Sequence, residues 1–355
     1  MSAAHSTNAS RPGWMRRVAR GLLVTRLILL VTGMTGWGTL FLWLSNLPGE
    51  PLRIVLAALF AIGTGASFVL FKKRWRTLLV YLGVFATLVL WFFALPPSNH
   101  RLWAPEVAVL ASATVQGHLV EIKNIRNFDY RTATDFTPRY YDKTFDLNKL
   151  DTLDLIATYW MGDAIAHMMV SFGFSGQDYL TVSIETRKEI GESYSTLAGF
   201  FREYELYYVV ADERDLIRVR TNYRKDPPED VYLYRIKGPV ENARRIFLSY
   251  IAEINSLKDH PEFYNTLTTN CTTNIWMHSK VNKESPPLNW KILVSGYVPQ
   301  FLYEIGRLDT RLPFDELRRR SHVNAAAHAA NDVPDFSQRI RANVPMPPRG
   351  AQAER

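Results

Sequence analysis

The sequence predicts an α+β domain that follows three transmembrane helices, and three observations lead to this prediction. Residues 27–47, 54–71 and 77–96 are apolar runs without a charged residue. Short segments in which apolar and polar residues alternate, the pattern of half-buried strands, recur between residues 115 and 236. One clear amphipathic helix follows at residues 239–257, with apolar residues at helical spacing and charges opposite.

The three apolar runs have the length that a helix needs to cross about 30 Å of hydrocarbon. Three such runs in quick succession argue against a cleaved signal peptide, which has one short apolar region and then a cleavage site. We therefore expect residues 27–96 to form a three-helix membrane anchor, preceded by residues 1–26.

The positive charges predict how this anchor is oriented. Five arginines precede the first run, and the loop between the second and third runs, residues 72–76, contains four Lys or Arg residues. Positively charged loops remain in the cytoplasm. We therefore expect residues 1–26 to be cytoplasmic, residues 97–320 to form an extracytoplasmic domain, and residues 321–355 to be a flexible C-terminal tail.

The charge balance excludes one class of partner. Residues 1–96 contain ten Lys or Arg and one Glu, a net charge of +9, whereas the whole chain carries +8. Residues 97–355 therefore carry a net charge of −1. A nucleic-acid-binding domain needs a basic patch on its soluble part. The high isoelectric point is a sign of membrane topology, and we expect no nucleic-acid partner.

Within residues 97–320 the pattern predicts a series of strands followed by helices. Strand character is found at residues 115–125, 164–174, 180–185 and 230–236, and residues 205–223 suggest a hairpin. A polar loop at residues 258–270 separates the amphipathic helix from a second helix, which runs from Cys271 to about Lys283. Residues 289–320 suggest a helix that packs on the domain or lies on the bilayer.

Cys271 is the only cysteine, and it lies at a predicted helix start. Six of the eight residues from Asn265 to Thr272 are Thr or Asn, which cap helices by accepting hydrogen bonds from free backbone N–H groups. A helix N-terminus favours the thiolate, the nucleophilic form of cysteine. The alternative is a buried, inert thiol. A lone thiol outside the cytoplasm cannot form an internal disulfide. Its location therefore favours a functional, reactive cysteine over an inert one.

A cysteine nucleophile needs a base within hydrogen-bonding reach and a group that orients the base. His278 is about two helical turns from Cys271, too far for contact along one helix. His167 lies on the predicted strand at 164–174, and Glu185 lies on the polar face of the next strand. His118 is the second choice. A core histidine and a solvent-exposed glutamate are the alternative interpretations of His167 and Glu185.

Metal and cofactor signals are weak. The chain contains no HxxxH, HExxH or CxxC spacing and no glycine-rich phosphate loop. We therefore expect neither a metal nor a cofactor.

Six runs carry a resemblance to a known family: NIRNFDYRT (124–132), IAHMMVSFGF (165–174), SIETRKEIGESYS (183–195), YELYYVVADERDLIRVRTNY (204–223), EFYNTLTTNCTTNI (262–275) and GRLDTRLPFDELRRRS (306–321). Over residues 103–341 the chain resembles bacterial domains named after the N-terminal periplasmic domain of Lnb, the lyso-form lipoprotein acyltransferase. The anchor lies outside this resemblance. Together, the anchor and the resemblance imply a multi-pass protein of the bacterial cytoplasmic (inner) membrane with a periplasmic C-terminal domain.

The order of a histidine followed by Asn-Cys is also similar to the permuted NlpC-type, papain-like fold, which includes the lecithin retinol acyltransferases. The resemblance implies that Cys271 is the nucleophile, His167 its base and Glu185 the group that orients the base. The amides of Cys271 and Thr272, with Asn270 or Tyr264 as side-chain donors, are then expected to stabilise an oxyanion. A further candidate for contact with the substrate is Arg187.

The activity that this resemblance implies is acyl transfer from a membrane phospholipid or lipoprotein through a thioester on Cys271. Two alternatives remain. One is a cysteine peptidase or amidase that acts on peptidoglycan, and the other is a non-catalytic module that binds an envelope protein or lipid. A lipid donor requires an apolar slot, whereas a peptide requires a polar cleft.

Overall fold

The computed structural model describes residues 13–45, 47 and 49–347. Contacts between residues divide the chain into two compact units, Met1–Pro96 and Pro97–Arg355.

The first unit consists of helices that are long and apolar enough to cross a membrane: α1 (Gly13–Trp43), α2 (Glu50–Leu70) and α3 (Arg74–Ala94). Inside this unit Phe41 packs edge-on against Trp91 and Phe92, and the Tyr81 hydroxyl lies 3.1 Å from Thr35 Oγ1. Helix α1 begins well before the apolar run at 27–47, so it also contains most of the N-terminal arginines. Of the expected cytoplasmic segment, residues 1–12 lie outside the described residues.

The second unit is built on a mixed sheet. The strands of this unit are β1 (Ser112–Gln116), β2 (Leu119–Arg126), β3 (Asp129–Tyr130), β4 (Phe136–Thr137), β5 (Tyr140–Asp146), β6 (Leu150–Tyr159), β7 (Ala166–Phe174), β8 (Asp178–Arg187), β9 (Glu205–Ala211) and β10 (Asp230–Arg235). Strands β3 and β4 pair with each other in a separate two-stranded sheet. The main sheet has the order β1-β2-β9-β8-β7-β6-β10, with β5 also paired to β2. Strands β2 and β9 meet in parallel, and the other pairs of the sheet are antiparallel.

Helices cover both faces of this sheet. They are α4 (Glu213–Arg218), α5 (Val240–Asp259), α6 (Cys271–Ser279), α7 (Trp290–Leu293), α8 (Val298–Glu304), α9 (Phe314–Ser321), α10 (Asn324–Ala329) and α11 (Phe336–Arg339). On one face, Phe172 of β7 packs against Phe247 and Tyr250 of α5. The opposite face forms a core in which Met169 and Val209 pack with residues of α4, α10 and α11. Successive residues of a strand point to opposite faces, so both faces of the central strands are buried.

The predicted amphipathic helix is confirmed as α5, whose apolar residues Phe247, Tyr250 and Ile251 are buried. The helix expected from Cys271 is confirmed as α6, although it ends at Ser279. For residues 289–320 the structure selects packing on the domain, because Ile292, Phe301 and Leu317 are buried.

The hairpin expected at residues 205–223 is wrong in its second half. Strand β9 is followed by α4 and then by a π-helical turn at Val219–Tyr223. Asp212 starts the helix, because its side chain accepts a hydrogen bond from the Arg214 N–H. Leu216 and Ile217 are buried in the core that α4 forms with the sheet. Burial of one helical face therefore prevails over the strand propensity of this segment.

The loosely ordered tail expected from residue 321 is also wrong up to residue 347. Ala327, Phe336 and Ile340 are almost fully buried in the core on the α4 face of the sheet. Arg341 is buried as well and is hydrogen-bonded to Asp154 and Glu213. Small and widely spaced apolar residues build this part of the core, which is why the segment lacks a clear apolar period. Residues 348–355 lie outside the described residues.

Candidate active site

The central sheet opens between β7 and β8 at one end. Their ladder ends at the pair Met169–Ser183, although β7 continues along β6 back to Ala166 and β8 continues along β9 to Arg187. Backbone groups beyond a ladder need other partners when they are buried. The backbone of Met168 lies at this opening and helps to lower the pKa of the Cys271 thiol. The opening between the strands is therefore the place where the thiol meets the sheet.

The polar stretch before Cys271 positions the thiol by capping α6. Asn270 Oδ1 accepts hydrogen bonds of 2.9 Å from the N–H groups of Thr272 and Thr273, and Thr273 Oγ1 accepts one of 3.0 Å from the Asn270 N–H. This is the reciprocal capping box. Cys271 is the first residue of the helix, where the positive end of the dipole favours the thiolate. Cys271 as a whole residue is partly exposed.

His167 lies on β7 at the opening and faces β8. Its Nε2 is 3.1 Å from Glu185 Oε1 and 2.7 Å from Ser183 Oγ. The Ser183 hydroxyl donates to the same carboxylate oxygen over 2.6 Å, so it can accept from the Nε2–H. The charge of the Cys271 side chain also acts on the ring and helps to raise the pKa of His167. Since Nε2 faces β8, Nδ1 is the nitrogen left for the thiol.

Behind Glu185 lies a buried arginine. Arg220, in the π-helical turn, donates to Glu185 Oε1 through Nη2 at 3.0 Å and to Glu229 Oε2 through Nη1 at 3.2 Å. Arg224 also pairs with Glu229, at 2.8 Å. The order along the cluster is therefore thiol, imidazole, carboxylate and guanidinium. Single-turn π-helices occur often at functional sites.

The charges in this cluster depend on one another. Burial disfavours the imidazolium, but the Glu185 carboxylate and the Cys271 thiolate outweigh it and raise the pKa of His167 to about 9. Burial also opposes ionisation of Cys271, yet the imidazolium and the donors around the sulfur bring the pKa of the thiol below its ordinary value. His167 and Arg220 likewise overcome burial and hold the pKa of Glu185 well below its usual range. These shifts favour a thiolate–imidazolium pair at neutral pH.

The other expected site residues have different surroundings. Asn270 and the Thr272 N–H are engaged in the helix cap, and Asn270 Nδ2 donates to the Thr266 carbonyl at 2.8 Å. Thr272 Oγ1 lies 3.7 Å from Cys271 Sγ. Burial and then the charge of Cys271 raise the pKa of Tyr264, whose hydroxyl is hydrogen-bonded to Tyr194. Thr272 and Tyr264 are thus near the sulfur.

Arg187 is not brought to this cluster. Its guanidinium donates to the carbonyls of Val107 and Ala108 and to Asn99 Oδ1, and it stacks over Trp103. These contacts bind the segment that follows Pro97 to the end of β8. The structure therefore gives Arg187 a structural role in place of the expected contact with substrate.

Two histidines weighed against His167 lie elsewhere. His118 is exposed in the turn between β1 and β2. His278 is buried, with Nδ1 2.8 Å from Ser249 Oγ and Nε2 2.8 Å from the Tyr208 hydroxyl. Burial lowers the pKa of His278 to about 4. Its contacts are those of a core histidine.

An apolar pocket begins beside the thiol. It encloses about 150 Å³ between the sheet and helices α5, α6 and α8. Three of its lining residues interact with Cys271: Met168 through its backbone, Thr272 through its hydroxyl, and Tyr250, whose pKa is raised by burial and by the thiolate charge. Ile275, Trp276 and Phe301 extend the apolar wall. A dry cavity of about 150 Å³ can hold benzene, so this one has room for about six carbon atoms.

Sequence reasoning missed Ser183 and Arg220. Ser183 had a usable signal, because residues two apart on a strand share a face and Glu185 was already a candidate. No sequence signal pointed to Arg220, because it is 35 residues from Glu185 in a segment with strand-like composition. Among the described residues, no group of three or more His, Cys, Asp or Glu side chains is arranged to hold a metal ion.

Comparison with known families gives one match. The model of the Lnb N-terminal periplasmic domain family matches residues 136–296, a range that contains the whole cluster from His167 to Cys271 and excludes the three apolar helices. Comparison with curated proteins and with solved structures finds no match. The family match and the three apolar helices fit an envelope-associated protein of the inner membrane.

Proposed function

We propose that this protein is a membrane-anchored thiol acyltransferase that takes an acyl chain from an ester of a membrane phospholipid or lipoprotein. The observation that carries the proposal is the mutual influence of His167 and Cys271 on their pKa values, next to an apolar pocket that Thr272 and Met168 line. A paired thiolate suits attack on an acyl ester, and an apolar pocket suits the chain of that ester. The proposal needs no metal and no cofactor.

In the first step the Cys271 thiolate attacks the ester carbonyl, and a C–S bond forms. The tetrahedral intermediate collapses as the C–O bond breaks, and the imidazolium of His167 gives its Nδ1 proton to the departing oxygen. In the second step an amine or water attacks the thioester and passes a proton to His167. The C–S bond breaks and the thiolate returns. Glu185 and Ser183 orient the imidazole through Nε2.

The oxyanion that forms in both steps requires donors. The N–H of Cys271 belongs to the first helical turn, whose amides have no carbonyl partner within the helix. This amide is our first candidate for an oxyanion donor. The Thr272 N–H is a weaker candidate than the sequence suggested, because Asn270 already accepts from it.

The anchor supports the choice of a membrane substrate. We propose that α1, α2 and α3 cross the inner membrane, that the N-terminus is cytoplasmic, and that residues 97–347 function in the periplasm. The positive charges before α1 and between α2 and α3 support this orientation. Tethering raises the effective concentration of a donor that never leaves the bilayer. The permuted papain-like arrangement remains a prediction that accords with the order of His167 and Cys271.

The test is to trap the thioester. Purified full-length protein is incubated with a diacyl lipoprotein or phospholipid that carries a labelled acyl chain, and intact-protein mass spectrometry measures the label on Cys271. We expect an adduct that is absent in Cys271→Ala and greatly reduced in His167→Ala. Cleavage of peptidoglycan cross-links without an acyl adduct would identify a peptidase or amidase instead.

Two substitutions on α6 test the role of the apolar pocket. Ile275 lines the pocket, whereas Met277 is exposed and does not. Because the pocket has room for about six carbon atoms, Ile275→Trp is expected to reduce acylation by chains of about six carbons or more at least tenfold and acylation by acetyl esters little. Met277→Trp is the matched control and should behave like the wild type. Equal loss for long and short chains in Ile275→Trp would contradict the role of the pocket.

A further inference from the structure

A long groove runs between α2 and α3 in the first unit. It encloses about 740 Å³, within the range of about 300–1,000 Å³ that ligand pockets occupy. Leu59, Gly63 and Ser67 line it from α2, and Arg76, Val80 and Val84 line it from α3. Most of its wall is apolar, and it ends at the loop between the two helices.

The length of the groove matches one leaflet of a bilayer. Its lining runs from Leu59 to Phe71, the residue that follows α2; these are twelve steps along the helix, which span about 18 Å at 1.5 Å per residue. Half of a hydrocarbon core of about 30 Å is about 15 Å. The groove is therefore long enough to hold an acyl chain from the interface to the middle of the bilayer.

The loop end of the groove is cationic. Lys72, Lys73 and Arg76 line it, and Arg74 is next to them. Within the described part of this unit, these four side chains form no ion pair. Glu50 is the only acidic residue among residues 1–96, and it lies at the opposite end of α2, about 33 Å away along the helix. Arg76 stacks over the Trp75 ring, but no described acidic side chain of this unit neutralises the positive charge at the mouth of the groove.

We propose that this groove binds an anionic phospholipid of the leaflet next to the α2–α3 loop. The phosphate group pairs with Lys72, Lys73 and Arg76, and one acyl chain lies along the wall that contains Gly63. A zwitterionic lipid fits the apolar wall equally well but leaves the cations with a neutral headgroup. Cationic pockets between membrane helices select anionic headgroups for this reason. This site is independent of the chemistry proposed for Cys271.

The test compares lipid retention by the full-length protein. Purified protein is exchanged against vesicles with equal amounts of phosphatidylglycerol and phosphatidylcholine, and native mass spectrometry counts the lipids that remain bound. We expect a clear preference for phosphatidylglycerol. Each cation is expected to contribute about fivefold to it. The triple variant Lys72→Gln, Lys73→Gln, Arg76→Gln should therefore lower the preference at least tenfold.

Two controls separate binding from a general effect of charge or of helix composition. Arg16→Gln, Arg17→Gln, Arg20→Gln removes three cations that do not line the groove and should keep the preference. Gly63→Leu adds a side chain to the wall of the groove, where a Cβ meets nothing within 4 Å, and it should reduce retention of both lipids. Gly65 is equally open but does not line the groove, so Gly65→Leu should retain lipid normally.

Two results would overturn the proposal. The first is an unchanged preference for phosphatidylglycerol in the triple variant at Lys72, Lys73 and Arg76. The second is equal lipid retention by Gly63→Leu and Gly65→Leu. The Gly63→Leu comparison leaves every charge in place, so it stands even if loss of the cations alters the membrane topology.

Discussion

The dependence of the Cys271 thiolate on His167 leads to our main prediction. The imidazolium is the largest influence that lowers the pKa of this thiol, and it opposes a burial effect that raises it. In His167→Ala the burial effect remains and the imidazolium is lost. The pKa of Cys271 should therefore rise above that of an ordinary thiol, about 8.5.

The size of the effect follows from the thiolate fraction. An ordinary thiol is only a few per cent thiolate at pH 7. In the wild type the pKa lies below the ordinary value, so a larger fraction of the thiol is ionised at that pH. Each unit by which the pKa rises lowers the thiolate fraction about tenfold. The rate of alkylation at pH 7 should then fall about tenfold or more in His167→Ala, and the midpoint of its pH profile should move upward.

The assay is simple because Cys271 is the only cysteine. Iodoacetamide is neutral and reports the thiolate, and intact-protein mass spectrometry follows the reaction between pH 5 and 10. His118→Ala is the matched control, since His118 is exposed in a turn. If His167→Ala keeps the wild-type profile, or if both variants change it equally, then His167 does not activate the thiol and our reasoning about the site is refuted.

Two further predictions concern buried charges. The Glu185 carboxylate helps raise the pKa of His167 to about 9, so Glu185→Gln should lower that pKa. The rate of acyl-Cys271 formation should then begin to fall at a pH below 9. Glu189→Gln is the control, and an unchanged pH profile in Glu185→Gln would exclude this role. Arg341→Met removes the ion-pair partner of Glu213, which is fully buried. It should lower the free energy of unfolding by about 3–5 kcal/mol in urea titrations of the full-length protein. The neighbouring exposed pair of Arg339 with Asp335 gives the control Arg339→Met, and similar midpoints for the two arginine variants would contradict the buried-charge argument.

Local patterns predicted two of the elements that hold the candidate site. Alternation along residues 180–185 put Glu185 on the polar face of a strand, and the Thr- and Asn-rich stretch marked the start of α6 at Cys271. Both signals depend on neighbours within a few residues, because a strand repeats every two residues and a helix cap acts over one turn. The same reasoning could have identified Ser183, which lies two residues before Glu185 on β8.

Local patterns failed where burial came from distant parts of the chain. Residues 216–223 have the composition of a strand, yet Asp212 starts a helix there and the core holds Leu216 in it. An acidic cap followed by Glu213 and Asp215 was the available signal for that helix. The segment after residue 321 has small residues and few large apolar ones, and only the completed core shows that Phe336 and Ile340 belong to it.

The sequence by itself therefore determined the three apolar helices, the strand of His167 and the helix start at Cys271, since each is encoded in consecutive residues. Only the tertiary structure decided that β7 and β8 separate beyond Met169, that the thiol enters this opening, and that Arg220 stands behind Glu185. These contacts join residues up to about a hundred positions apart. The energies of these contacts depend on burial and on partners that are distant in the sequence. Neither can be deduced from the local periodicity of the chain.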